Sequence, residues 1–207
     1  METGGYEGLD IDVARAFAKS LGVRAEFVQT SWPTMTADLL ADKFDLAMGG
    51  ISQLPARAEV GLLSHGYLSD GKRPLIRKAD QNRFHTLADI DQPGVRVAVN
   101  PGGTNQKFDA ANLSHATVDV VEKNLSIPAL IADGKADVFI TDGVEADYDA
   151  SRDSRLLAVD PSHPYTHDTK VYFLQRDEAS VEQALDGFID RSLHDGFYER
   201  LRAKWIG

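Results

Sequence analysis

Leu39-Leu40-Ala41-Asp42-Lys43-Phe44-Asp45-Leu46-Ala47-Met48 returns later in the chain as Leu130-Ile131-Ala132-Asp133-Gly134-Lys135-Ala136-Asp137-Val138-Phe139-Ile140, with one residue inserted. Each copy reads as a helix end, a polar turn and a buried strand. Two copies are too few for a solenoid, which stacks several units. They fit two α/β lobes of similar topology. Helical and strand patterns alternate around both copies, which predicts mainly parallel sheets with ligands at the carboxyl ends of the strands. Gly49-Gly50 and Thr141-Asp142-Gly143 sit at two such ends. The default site is therefore a cleft between lobes.

Outward from the first copy, Leu9, Val13, Phe17 and Leu21 form one apolar helical face over 9–21, ended by Gly22. Ala25–Gln29 reads as a short strand, and Ser31-Trp32-Pro33-Thr34 as a turn into a helix ending at Leu40. The strand Phe44–Met48 is closed by Gly49-Gly50, and Gly71–Lys78 is extended. Outward from the second copy, strands are predicted at Val95–Val99 and Thr117–Val121. Helices are predicted near Lys107–Ala111, over Ile127–Ala132 and from Gly143 to Ala150. The tail from Ser180 to Trp205 reads as two amphipathic helices broken around Asp195-Gly196.

The 207 residues are 43% hydrophobic, 26% charged and 8% aromatic, an ordinary globular composition. Twenty-two Lys and Arg stand against 32 Asp and Glu, a net charge of −10. Such a surface repels phosphate backbones, and no basic run offsets it, so nucleic acid is excluded as a partner. No apolar stretch approaches the ~20 residues that span a bilayer. The opening Met1-Glu2-Thr3-Gly4-Gly5 is neither cationic nor apolar, so no signal peptide is read in this chain. Without cysteine there is no disulfide, thiolate metal site or cysteine nucleophile. The histidines are scattered, and Pro164 between His163 and His167 breaks the one helical pairing, so no metal site is expected. The absence of Gly-x-Ser-x-Gly removes the nucleophile elbow.

Several residues carry candidate chemistry. Arg57 follows the loop Gly50-Ile51-Ser52-Gln53-Leu54-Pro55-Ala56, where its guanidinium fork, backbone N–H groups and the Ser52 hydroxyl would take a carboxylate. On position alone it reads first as a solvated surface arginine. Pro101-Gly102-Gly103-Thr104-Asn105 is a strand-to-helix turn whose amides suit an anion, but it has neither P-loop nor dinucleotide spacing. Asp142 either accepts from a substrate ammonium or caps the following helix. Glu145, three residues on, is a general-acid candidate if it is desolvated. Trp32 is either a stacking wall or core.

Gly5-Tyr6-Glu7-Gly8-Leu9-Asp10-Ile11-Asp12, Phe44–Met48, Arg57 and Asp142 together resemble the bacterial periplasmic solute-binding proteins of family 3, which bind polar amino acids. Within that family the chain is most similar to the cyclohexadienyl dehydratases. Thr30–Pro33, Tyr67–Lys72, Asp91–Val95, Asn100–Phe108 and Thr141–Ala146 carry this similarity, which runs from Gly5 to Trp205. The resemblance implies a two-lobed, type II periplasmic-binding-protein-like α/β fold. Lobe 1 would be discontinuous, over 1–79 and 171–207, with lobe 2 over 80–170. It further implies loss of carbon dioxide and water from prephenate, giving phenylpyruvate, or from arogenate, giving phenylalanine, without a cofactor.

By the same resemblance, Arg57 would clamp the side-chain carboxylate, with Ser52, Gly50 and Thr104 adding hydrogen bonds. Glu145 would protonate the departing ring hydroxyl. Asn105 and Lys72 or Lys107 would hold the ring carboxylate, and Trp32 would wall the ring. The family fold starts with a strand ahead of Gly5-Tyr6-Glu7-Gly8, and the first strand of lobe 1 is missing from the chain as read. Gly49 stands where the family carries Ser or Thr, which removes one hydrogen bond. The ligand class is a small dicarboxylate or an amino acid, the compartment periplasmic or extracytoplasmic, and a homo-oligomer is allowed. The alternative is a non-catalytic amino-acid receptor that would partner an ABC permease. A third reading, a sensor-like lobe pair without activity, follows if the missing strand is real.

Overall fold

The computed structural model describes residues 5–160 and 162–207. The readings of the chain opening that rest on residues 1–4 lie outside them. In chain order the elements are α1 (Leu9–Ser20), α2 (Met35–Leu40), β1 (Leu46–Ser52), α3 (Pro55–Ala58), β2 (Leu62–Leu63), β3 (Leu68–Asp70) and β4 (Lys72–Arg77). There follow α4 (Leu87–Ile90), β5 (Arg96–Val99), α5 (Thr104–Asn112), β6 (Thr117–Val120), α6 (Ile127–Ala132) and β7 (Val138–Asp142). The chain closes with α7 (Gly143–Arg152), β8 (Leu156–Ala158), β9 (Asp168–Leu174), α8 (Ala179–His194) and α9 (Phe197–Trp205). These elements form two compact units, one over Met1–Ser69 and Asp168–Trp205, the other over Asp70–His167.

The first unit is built on β9, which pairs with β1, β2 and β3. Successive side chains of a strand point to opposite faces, and β9 buries both. Val171 and Phe173 pack with Met35, Leu39, Ala47 and Ile51 on one face. Tyr172 and Leu174 pack with Val13, Phe17, Leu185, Ile189 and Leu201 on the other, under α1, α8 and α9. Fully burying each aliphatic or aromatic side chain contributes about 1.5–3 kcal/mol. β1 and β2 run antiparallel to β9, so the expectation of mainly parallel sheets fails here. β9 returns to this unit only after the whole 70–167 excursion, and the parallel crossover rule for βαβ units does not bind it.

The second unit has the sheet order β6-β5-β7-β4-β8. β5 is parallel to β6 and β7, whereas β4 is antiparallel to β7 and β8. Period-two alternation again fills both faces. Leu75, Ala98 and Phe139 meet Ile127, Ile131 and Ala146, while Ile76, Val97, Val138 and Ile140 meet Phe84, Ile90 and Val159. Double-sided burial is why these strands read as unbroken apolar runs. β4 lies in this unit because its ladder partners do, ten residues before the sequence boundary at 79.

The near-repeat takes the same shape in each unit. After α2, Lys43 N–H donates to Asp38 O at 3.1 Å; after α6, Lys135 N–H donates to Leu130 O at 2.9 Å. Both helix ends are Schellman-type turns with a left-handed residue, Asp42 (φ 56°) in one and Gly134 (φ 71°) in the other. Asp42 therefore corresponds to Gly134, Lys43 to Lys135 and Asp45 to Asp137, and no inserted residue is needed.

Two other sequence expectations change. Ala25–Gln29 forms no strand; it is irregular and largely exposed. Gly49-Gly50 do not close the first strand but lie inside β1, at a register shift between Ala47 and Ile51. Both have positive φ, 146° and 64°, the backbone that a bulge requires and that glycine supplies without strain.

Candidate functional site

In the second unit, chemistry gathers where β4 begins and β7 ends. Lys72 and Asp142 are register partners, as are Arg73 and Thr141. The Lys72 ammonium is 2% exposed and spends its three N–H bonds on named acceptors: Asp142 Oδ1 at 2.6 Å, Thr104 Oγ1 at 2.8 Å and Asn105 Oδ1. A buried charge persists only when it is paired and hydrogen-bonded in this way. Asn105 passes the network on, its Nδ2 donating to Asn100 Oδ1 at 2.9 Å and to Thr141 Oγ1 at 3.1 Å. The Thr141 hydroxyl in turn donates to Glu145, and Asn124 Nδ2 approaches Glu145 Oε1 at 3.5 Å. One polar chain thus runs from Lys72 to the Glu145 carboxyl.

Burial pushes Glu145 upward, and the negative charge of Asp142 adds to the shift. The Thr141 hydrogen bond and the positive charge of Lys72 act against it. A raised carboxyl holds its proton to higher pH than an ordinary one, which suits a general acid. Two further carboxyls of this unit are raised. Asp149, one turn along α7, is pushed to about 7 by burial and by Glu145. Asp109, one turn along α5 from Asn105, is fully enclosed and pushed to about 7 by burial, with Lys72 opposing.

Asp142 occupies the N-cap position of α7 but makes no side-chain cap bond. That work falls to Asp70, whose Oδ2 accepts from Val144 N–H at 3.1 Å. Asp142 is engaged by Lys72 instead. Arg73 anchors the same helix through Asp147 Oδ2 at 2.9 Å and reaches Val159 O at 3.1 Å. In the loop before α5, one amide expected to face an anion is occupied: Gly102 N–H donates to Gln106 Oε1 at 2.7 Å.

In the first unit, Arg57 on α3 turns back so that Nη1 donates to Ser52 O at 2.5 Å. The Ser52 hydroxyl accepts from Lys170 Nζ at 2.8 Å. Gly50 N–H donates to Asp10 Oδ2 and Tyr172 O–H to Asp10 Oδ1, each at 3.0 Å. Burial raises Asp10, while Tyr172, Tyr67, Gly50 and the charge of Lys170 pull it down. Trp32 is part-buried and packs on the core of Met35, Leu39 and Ile51.

The structure therefore brings Lys72, Thr104, Asn105, Asp142 and Glu145 into one cluster, and Gly50, Ser52 and Arg57 into another. Lys107 is not among them. It is exposed on α5, on a different side from Asn105 and Asp109, which are buried. Two residues along a helix is about 200° of rotation, which turns Lys107 away from the face that carries Asn105. Asn100, Thr141, Asn124, Asp10 and Lys170 were missed by sequence reasoning. Asn100 and Thr141 lie within the quoted motif stretches, but nothing in their type marks them. Among the described residues, no group of three or more His, Asp or Glu is placed to hold a metal ion, and no helix is long and apolar enough to cross a membrane.

The chain is 44% identical over 205 residues to the cyclohexadienyl dehydratase of Pseudomonas aeruginosa, which covers 99% of this chain and 76% of that one. It is 22% identical over 206 residues to the L-cystine-binding protein of Escherichia coli, with 76% of the latter covered. Among solved structures, an ancestral amino acid-binding protein, described as a precursor of cyclohexadienyl dehydratase, superposes with a TM-score of 0.88 at 28% identity. That match covers 100% of this chain and 88% of the other. An ancestral cyclohexadienyl dehydratase matches at 46% identity and a TM-score of 0.55, covering 100% of this chain and 86% of that one. The fold is the type II periplasmic-binding-protein-like one, a mixed α/β architecture with two sheets. A family model covers residues 1–207, and the chain belongs to the bacterial extracellular solute-binding proteins, family 3.

Proposed function

We propose that the protein is a cyclohexadienyl dehydratase that converts prephenate to phenylpyruvate, or arogenate to phenylalanine. The ring carboxylate leaves as carbon dioxide, its C–C electron pair enters the ring, and the ring C–O bond breaks as the hydroxyl takes a proton and departs as water. The ring becomes aromatic, and no oxidant, reductant or cofactor is consumed. The observation that carries this reading is the raised Glu145 carboxyl held by Thr141 at the end of β7, beside the buried Lys72. Hydroxide is a poor leaving group and needs such an acid. The 44% identity to a cyclohexadienyl dehydratase supports it.

In this reading Glu145 is the general acid and takes its next proton from solvent. Lys72, whose three N–H bonds go to Asp142, Thr104 and Asn105, attracts the ring carboxylate by its charge rather than by a hydrogen bond of its own. Arg57, with Ser52 and the Gly50 amide, takes the side-chain carboxylate, and Trp32 walls the ring. The protein works in the periplasm, consistent with a family named for extracellular solute binding. The test is direct: purified protein is mixed with prephenate, and phenylpyruvate is followed by its absorbance in base. Steady formation by the wild type, abolished in Glu145→Gln, is the expected outcome.

A second reading, a non-catalytic amino-acid receptor serving an ABC permease, is favoured by the 0.88 TM-score to an amino acid-binding ancestor. Such a receptor needs a carboxylate for the ligand ammonium, and here Asp142 is already engaged by Lys72. An inert wild type that binds an amino acid at micromolar concentration would favour the receptor.

A further inference from the structure

The least expected group in the first unit is Lys170, a lysine with no solvent exposure in the middle of the central strand β9. Burying an ammonium is costly unless it is paired and hydrogen-bonded. Lys170 and Ser52 are register partners across the antiparallel β1–β9 pair, so their side chains lie side by side on one face of the sheet. Lys170 Nζ sits 2.8 Å from Ser52 Oγ, and Ser52 is itself 2% exposed.

The chemistry of this pair is one-directional. An ammonium has three donors and no acceptor, whereas a hydroxyl has one donor and two acceptor lone pairs. The Ser52 oxygen must therefore accept from Lys170, and its proton is turned elsewhere. No described residue takes that proton. The Ser52 carbonyl oxygen is meanwhile held by Arg57 at 2.5 Å. One residue thus has its carbonyl fixed by a guanidinium, its hydroxyl oxygen fixed by an ammonium, and one O–H left to give. Asp10 lies near enough to feel the charge of Lys170 and accepts from the Gly50 amide in the bulge preceding Ser52.

We infer that Lys170 is a positioning residue for ligand recognition: by donating to Ser52 it commits the Ser52 hydroxyl to act as a donor, so that the patch with Arg57 selects a carboxylate over a group that must itself donate. This rests on the reading that Arg57 and Ser52 take a ligand carboxylate. Lys170 need not touch the ligand, and its effect falls on binding rather than on the chemical step, which belongs to Glu145.

The test compares wild type, Lys170→Met, Lys170→Arg, Ser52→Ala and the double variant Ser52→Ala/Lys170→Met. Prephenate turnover gives KM and kcat separately, and calorimetry gives the Kd of phenylpyruvate, a carboxylate that is not consumed. Losing a hydrogen bond to a charged group corresponds to a rise of about tenfold or more in KM and Kd for Lys170→Met and Ser52→Ala, with kcat within about threefold of wild type. Lys170→Arg keeps the donor and restores binding. In the double variant the two losses do not multiply, because both remove the same oriented hydroxyl. An unchanged Kd in Lys170→Met, or fully multiplicative losses, overturns the inference, since a merely structural lysine would not depend on the Ser52 hydroxyl. If Lys170→Met fails to fold by circular dichroism, Ser52→Ala and Lys170→Arg decide: unchanged binding in the first, or tenfold loss in the second, overturns it. A wild type that does not consume prephenate but binds phenylpyruvate or an amino acid sinks the dehydratase reading alone, and the same cycle is then read on that Kd. A wild type that binds neither sinks both.

Discussion

Lys72 and Asp142 face each other across the antiparallel strands β4 and β7, with Nζ 2.6 Å from Oδ1 and only 2% and 14% of their side chains exposed. The pair decides what Asp142 is for: it neither caps α7 nor stands ready for a ligand ammonium alone. Breaking it strands a carboxylate in a poorly solvated place. Lys72→Met is expected to destabilise the protein by about 3–5 kcal/mol and to abolish turnover, because Thr104 and Asn105 lose the same donor. Urea denaturation and a prephenate assay check both halves. A variant as stable as wild type would show that the pair is not a coupled buried unit.

Lys107 provides the opposite case. The sequence offers it as an equal candidate with Lys72 for the ring carboxylate, but it is exposed and outside the network. Lys107→Ala is expected to leave kcat and KM within about twofold, the range for surface positions away from a site. A tenfold rise in KM would return Lys107 to the site.

Asp137 ties β7 to two arginines, with Arg77 Nη2 at 2.8 Å and Arg96 Nε at 3.0 Å, and accepts from the Arg96 amide at 3.0 Å. Burial alone would raise this carboxyl, but these bonds outweigh it and lower its pKa to about 2. A depressed carboxyl stabilises the fold above its unfolded pKa, and that contribution is lost as pH falls through the folded value. It amounts to about 2 kcal/mol. Stability should therefore decline between about pH 4 and pH 2. Asp137→Asn should flatten that decline while lowering stability at pH 7, as read from thermal midpoints across pH.

Gly71 tests packing at the entrance to β4. A Cβ there would run into the Thr166 carbonyl and lie 2.7 Å from Pro164 Cβ. The carbonyl belongs to backbone that cannot swing aside. Gly71→Ala is expected to cost about 1–3 kcal/mol, the range for overpacking. At Gly50 an added Cβ meets nothing within 4 Å, and Gly50→Ala should cost less, about 1 kcal/mol, from its positive φ alone. Denaturation midpoints in that order support the account; the reverse order contradicts it.

How much of this was legible depends on whether a residue's role is set locally. The near-repeat was legible because helix end, left-handed turn and buried strand are written in consecutive residues, and even its spurious insertion vanishes at Asp42 and Gly134. Glu145 and Arg57 stood out as reactive types beside turns, whereas Asn105 was singled out only by the family resemblance. β9 was not legible. Asp168–Leu174 carries a buried lysine at Lys170 and begins with polar residues, so the pattern lacks an apolar period. Its role depends on pairing with β1, more than a hundred residues earlier in sequence. No local pattern encodes the antiparallel direction of that pairing. Lys72 and Lys107 looked alike because choosing between them requires knowing which one faces Asp142.

Glu145 carries the central claim. Burial raises its pKa, so it keeps its proton to higher pH than an ordinary carboxyl, and kcat is expected to fall with rising pH as that proton is lost. A carboxyl raised by burial also weighs against the folded state once it is charged. Glu145→Gln should therefore be at least as stable as wild type at pH 7 and above, which separates a catalytic loss from a folding one. The most direct measurement is single-turnover conversion of prephenate by wild type and Glu145→Gln, with phenylpyruvate binding measured in parallel. The account predicts a loss of at least about 10²-fold in the chemical step, the lower range for a positioned general acid, with Kd within about threefold. A Glu145→Gln protein that still forms phenylpyruvate at the wild-type rate would contradict it.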